Sequence, residues 1–245
     1  MHHGELLRLF ALDDAARFNI GMSASPILML PPERMLRSEI EIKRSRFIAS
    51  AARATSAEAA RAFIAQIRSE FPDARHNCTA FSVLPEGATN PQLHSSDDGE
   101  PSGTAGRPML DVLVGSGLSD VVTVVTRYFG GVLLGTGGLA RAYCESVRGV
   151  LNGATIVRAQ PLAQLAATVT HAEAGRIEAA LRSLSPAVTV TETRYEPQAV
   201  TLLVACEAAA TSAVKATIAQ LTAGAGEVAD AGWVTVEIPA GTLEL

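Results

Sequence analysis

"VVTRYFGGVLLGTGGLARAY", residues 124–143, decides how the first half of this chain folds. With the residues just before it, "DVVTVVTRYF" is dominated by β-branched side chains, as a buried strand is. From about Thr136 to Leu151 the pattern becomes helical. Between the two, and into the helix start, stand Gly130, Gly131, Gly135, Gly137 and Gly138, five of the chain's 20 glycines. Glycine is costly where regular structure must persist, so these positions ask what approaches the backbone. A helix start offers unpaired N–H groups and a partial positive charge. Glycines let an anion, often a phosphate, reach them. Thr136 opens the helix, and Arg127 and Arg141 stand before and after the turn as sources of positive charge. The spacing matches neither the Walker lysine pattern nor the dinucleotide G-x-G-x-x-G with its ribose acid. Tight turns and close packing of helix on sheet explain the same glycines, and both readings stay open.

Outward from the turn, the chain alternates strands and helices. "SEIEIKRSRFIASA", 38–51, alternates Ile40 and Ile42 with charges and begins as a strand. Its Lys43, Arg44 and Arg46 suit phosphate contacts or a solvated strand face. Thr55 and Glu58 form a capping box before Ala59, Ala60, Phe63, Ile64 and Ile67 at helical spacing, and Pro72 ends that helix. "NCTAFSVL" is the next strand, with His76 at its start as a supporting residue. Pro85 to Pro108 shows no period, and a loop that long is usually functional or disordered. It contains "SSDDGEPSGTAGRP", whose Asp97, Asp98, Gly99, Glu100, Ser102, Gly103, Thr104 and Arg107 make a candidate recognition loop. Asp97, Asp98 and Glu100 are the carboxylates that would hold Mg²⁺, although an ordinary solvated turn has the same composition. No resident metal is read from the chain. A short helix over Met109–Val114 follows, and "ATIVRAQ" closes a domain spanning 36–159.

Residues 160–245 form a second domain. "LAQLAATVT", a helix after the Thr170–Glu173 capping box, "AVTVTETRY" and "QAVTLLVAC" around a Glu196-Pro197 turn, a helix through Val214 and Ile218, and a strand from Trp233 run in the order β-α-β-β-α-β. That is the order of a ferredoxin-like split βαβ domain. Residues 1–35 contain three prolines and no sustained period, and are expected to pack poorly.

Composition bounds the function. With 48% apolar residues but 4% aromatics, the core must be built from Ala, Val, Leu and Ile. The net charge of −5 divides as −1 over 1–35, +1 over 36–158 and −5 over 159–245. The last third argues against a basic patch on its own surface, while the middle of the chain, where Lys43, Arg44 and Arg46 cluster, allows a local one. The three cysteines, Cys78, Cys144 and Cys206, fit neither a disulfide framework nor a zinc site. Cys78 and Cys144 have apolar neighbours and read as packing residues. No apolar run is long enough to span a membrane. These features describe a cytoplasmic protein.

"KRSRFIA" (43–49), "DARHNCTAF" (73–81), "SDDGEPSGTAGRPML" (96–110) and the glycine stretch together resemble the YigZ/IMPACT family. The resemblance covers about residues 38–240. It implies an α+β fold, with a first domain like the second domain of ribosomal protein S5. The second domain would be ferredoxin-like, as at the end of elongation factor G. Bacterial relatives begin about twenty residues before the Lys-Arg-Ser-Arg motif, which places Met22 as an alternative start. Eukaryotic members restrain the kinase response to amino-acid starvation, using an RWD domain absent here. The expectation is a non-enzymatic, translation-associated binding protein whose glycine-rich face meets RNA, the ribosome or a phosphate-bearing ligand. Its residues would be Lys43, Arg46, Arg127, Gly130, Gly131, Gly135, Thr136, Gly137, Gly138 and Arg141. The acidic second domain would meet protein, or act as a dimer or hinge module. Two rivals remain: an enzyme acting on a nucleotide or phosphorylated small molecule, and a pure protein-interaction module.

Overall fold

The computed structural model describes residues 27–32, 34–85, 88–184 and 187–245. They form two compact units: residues 27–159 with Ile238–Leu245, and Gln160–Glu237.

The first unit is a five-stranded sheet in the order β2-β3-β6-β4-β5, with each neighbouring pair antiparallel. The strands are β2 (Leu36–Ile42), β3 (Ser45–Arg53), β4 (His76–Val83), β5 (Gln92–Ser96) and β6 (Val121–Tyr128). Helix α1 (Ala57–Glu70) lays Ala57, Ala60, Ile64 and Ile67 against Phe81, Val83, Val122 and Val124 on one face. Helices α2 (Gly106–Gly115) and α3 (Thr136–Leu151) cover the other face, packing on Phe47, Ala49, Cys78, Ala80, Val121 and Val125. Alternate residues of β6 therefore enter two different cores. This is why its valines and threonines run without a polar break.

Three local readings are refined. The stretch 38–51 begins as a strand, as expected, and then folds back as a hairpin: Ile42 pairs with Ser45, and Lys43 and Arg44 form the turn with φ of 47° and 65°. Two residues at positive φ make a primed hairpin turn, which usually carries Asn-Gly. The 85–108 segment is not wholly loop, because β5 pairs with β4 from Gln92 to Ser96 and α2 already begins at Gly106. The first helix is capped one residue later than the Thr55 box, by Ser56, whose hydroxyl accepts from Ala59 N at 3.1 Å.

Poor packing over 1–35 is corrected where that segment is described; residues 1–26 lie outside the described residues. β1 (Ile27–Met29) pairs antiparallel with β7 (Thr155–Val169), and Met29 and Leu30 are fully buried. "ILML" supplies four apolar side chains to bury, and Pro31-Pro32 ends the strand instead of preventing it.

The second unit runs β7, α4 (His171–Arg182), β8 (Val188–Tyr195), β9 (Val200–Cys206), α5 (Thr211–Leu221) and β10 (Glu227–Thr242). β7 lies between β10 and β9, and β8 pairs with β9. The expected separate strands "ATIVRAQ" and "LAQLAATVT" are one continuous strand. Pro161 interrupts neither the β1 ladder nor the β9 ladder, since β1 pairs up to Ala159 and β9 from Ala163. The boundary expected at 160–245 shifts at its far end, because residues from Ile238 return to the first unit, where Leu243 is buried. No helix among the described residues is long and apolar enough to cross a membrane.

Candidate functional site

One end of the first sheet gathers most of the residues that the sequence singles out. β3 begins there at Ser45, β4 begins at His76, β5 ends at Ser96 and β6 ends at Tyr128. His76 and Phe47 both pair with Arg127 in register. The recognition loop leaves β5 and the glycine turn leaves β6 from this same end.

Asp97 organises the loop. Its carboxylate accepts from the backbone N–H groups of Gly103 (2.8 Å), Ala105 (2.9 Å) and Gly106 (2.8 Å). Partial burial works against its charged form, but these three donors outweigh it and hold the carboxyl below its ordinary range. Asp98 ties the loop to its surroundings. One oxygen accepts from Asn77 N at 2.7 Å and the other from Arg68 at 2.7 Å, while His76 Nδ1 meets the Asp98 carbonyl at 2.9 Å. Glu100 turns inward. It pairs with Arg127 at 2.6 Å, both side chains almost wholly buried, and accepts from the Tyr143 hydroxyl at 2.8 Å. Cys78 closes the chain of contacts, donating to the Asp97 carbonyl at 3.0 Å and lying 3.3 Å from the Tyr143 oxygen. Burial pushes the Cys78 thiol up to about 12 and raises the Tyr143 hydroxyl as well. Neither is poised to ionise near neutral pH.

This changes the roles expected of several residues. Arg127 is not a solvent-facing cation beside the glycines; its charge is opposed by Glu100 within the core. Arg46 pairs with Glu39 at 2.7 Å, and Arg107 with Asp111 at 2.8 Å. Asp97, Asp98 and Glu100 point to three different partners. Among the described residues no three acidic, histidine or cysteine side chains form a metal-type group. Ser102 lies exposed on the loop, and the Thr104 hydroxyl donates to the Pro101 carbonyl at 2.6 Å. Lys43, Arg44 and Arg141 are exposed and enter no salt bridge among the described residues.

The glycines separate by role. A Cβ on Gly130 would lie 2.0 Å from the Arg44 carbonyl carbon and 2.1 Å from its oxygen. The backbone that approaches there is the protein's own hairpin turn, and the Ser45 hydroxyl accepts from Gly130 N at 3.1 Å. A Cβ added at Gly138 would lie 3.1 Å from the Leu134 Cβ. By contrast, an added Cβ at Gly131, Gly135 or Gly137 meets nothing within 4 Å. Gly135 precedes α3 at φ 73° with no side-chain cap, so the first N–H groups of the helix, from Thr136 on, are left to solvent or a ligand.

The sequence matches the Impact N-terminal domain over residues 43–151 and a domain of unknown function (DUF1949) over 168–225. It is 48% identical over 141 residues to the IMPACT family member YigZ of Escherichia coli (strain K12), covering 58% of this chain and 69% of that protein. The chain belongs to the IMPACT family. A Haemophilus influenzae IMPACT family member is 51% identical over 123 residues, which are 50% of this chain and 59% of its own length. A solved structure described as that of a hypothetical protein superposes with a TM-score of 0.53 at 38% identity, covering 85% of this chain and 98% of that one. The recognition loop and the glycine turn both lie inside the Impact N-terminal match. Sequence reasoning had not placed Ser45, Asn77 and Tyr143 in this site. Each is found only through a partner distant in sequence, such as Tyr143 with Glu100.

Proposed function

We propose that this IMPACT-family chain is a translation-associated regulatory binding protein that contacts RNA, or a ribosomal surface made of it, through the glycine-rich end of its first unit. One observation carries the reading. The exposed cationic hairpin tip, Lys43-Arg44, is held by backbone contact against a glycine turn whose outer positions are sterically open and whose helix start lacks a side-chain cap. Cations beside unpaired N–H groups, with room for close approach, suit a phosphodiester backbone. The family resemblance supports the link to translation, without the eukaryotic RWD-dependent partner.

The same reading takes the first unit as S5-like and the second as ferredoxin-like. Support for the latter is the β-α-β-β-α-β element order, with the last strand beside the first in the sheet.

The test is binding of a labelled single-stranded RNA oligonucleotide across a salt series. Affinity should fall steeply with salt, and charge reversal at Lys43 and Arg44 should flatten that dependence by about one unit of slope per lost phosphate contact. Gly137→Val should weaken binding while leaving the melting temperature near that of the parent, because the site around Gly137 is open. RNA affinity that is absent at low salt, or indifferent to salt, counts against the proposal.

A further inference from the structure

Phe129 is the first residue after β6, and it stands half exposed between Tyr128 and the glycine turn. Apolar side chains scattered singly on a surface need no explanation. This one is held in an unusual way. The Arg127 guanidinium lies 5.7 Å from the Phe129 ring centroid and 5.4 Å from that of Phe47. That guanidinium is itself fixed by Glu100 at 2.6 Å and lies 3.5 Å from the Ser45 hydroxyl. Phe47 packs edge-on against Tyr143, with centroids 5.4 Å apart. A buried, pinned cation therefore stands behind an exposed ring, and a cation near a ring at this distance attracts it. The ring is held by this cation while the residue stays half exposed.

Its surroundings give the occupant. Gly130, the next residue, is in backbone contact with Arg44 and Ser45, so the Lys43-Arg44 tip lies beside Phe129 by construction. Leu133, in the same turn, is 82% exposed. An immobilised aromatic face next to exposed cations is the combination that binds single-stranded nucleic acid, with the ring stacking a base and the cations following the backbone. A duplex keeps its bases stacked on each other and offers none to the ring.

We infer that Phe129 is a base-stacking platform for an unpaired nucleotide, which makes single-stranded RNA the preferred ligand of this surface. The inference rests on the RNA-binding reading above and sharpens it.

The experiment compares the parent protein with Phe129→Ala, Phe129→Leu and Phe129→Trp. Each is titrated with a labelled single-stranded RNA oligonucleotide, with the same strand annealed to its complement, and with heparin as a polyanion without bases. Melting temperatures are read in parallel. Phe129→Ala and Phe129→Leu should each lose about tenfold or more of the single-strand affinity. Phe129→Trp should retain it, and all three should bind heparin as the parent does with an unchanged salt slope. Single-strand binding by Phe129→Ala equal to the parent overturns the stacking role and leaves the RNA reading standing. So does an equal loss toward heparin, or a parent that prefers the duplex. Failure of the parent to bind any RNA at low salt overturns both.

Discussion

At the scale of single residues, the glycines of one motif do different jobs. Gly130 is required by packing, because its missing side chain is the space that the Arg44–Ser45 backbone occupies. A backbone atom cannot swing away as a side-chain tip can. Gly130→Ala should therefore destabilise the protein by about 1–3 kcal/mol or more, through displacement of the hairpin. Gly137→Ala should be neutral, or stabilising by up to about 1 kcal/mol, since its site is open and it lies in a helix. Urea midpoints of the two variants decide the matter; a Gly130→Ala protein as stable as the parent would contradict the packing role. The Glu100–Arg127 pair makes a second case. Removing one partner of a buried pair leaves an uncompensated charge, so Glu100→Gln should cost roughly 3–5 kcal/mol, and pairing it with Arg127→Met should recover part of the loss. If the double variant is as unstable as the sum of the two single ones, the pair is not coupled in this way. None of this partner choice is legible in the sequence. Glu100 and Arg127 are 27 residues apart, and only the fold decides that they meet.

At the scale of elements, what repeats locally was readable and what depends on a distant partner was not. Helices α1 and α3 and strand β6 announce themselves by period and by β-branched composition. Strand β5 does not, because "QLHSS" has no apolar alternation and is a strand by virtue of its ladder with β4. The β2–β3 hairpin was hidden for a different reason. Its turn is made of Lys43 and Arg44 where glycine and asparagine usually mark such a turn. Both hold positive φ, which side chains with a Cβ adopt at a cost. A turn that disfavours its own residues while presenting two cations to solvent fits selection for the charges rather than for the fold. Exchanging Lys43-Arg44 for Asn-Gly should then raise stability by about 1 kcal/mol, read from urea denaturation, while lowering RNA affinity. A turn variant that loses stability would show that the lysine and arginine side chains hold the hairpin together.

At the scale of the whole chain, the two-unit plan and the order of the second unit were legible, because each helix and strand there carries its own period. The ends of the first unit were not. Its sequence looks complete at the close of "ATIVRAQ", yet residues from Ile238 onward return to it from the far end of the chain. Leu243 fills a place in the core that holds Leu113, Leu151 and Ile156. Leu243 N donates to the Ala154 carbonyl at 2.9 Å, and Gly153 N donates to the Leu243 carbonyl at 2.8 Å. Nothing in "PAGTLEL" announces this, because one leucine has no period. A burial of this kind couples the last residues of the chain to the stability of the first unit, and a cut at the sequence-read boundary would remove them. Leu243→Ala in the full chain should therefore cost about 2–5 kcal/mol, the range for emptying a buried leucine site. Leu245→Ala, at a position 43% exposed, should cost less than about 0.5 kcal/mol. Hydrogen exchange on the same variants locates the effect. Amides of β6 and α3 should lose protection in Leu243→Ala to a greater degree than those of α4 and β8. An unchanged melting temperature for Leu243→Ala, or loss confined to the second unit, would place the chain's last residues outside the first unit's core.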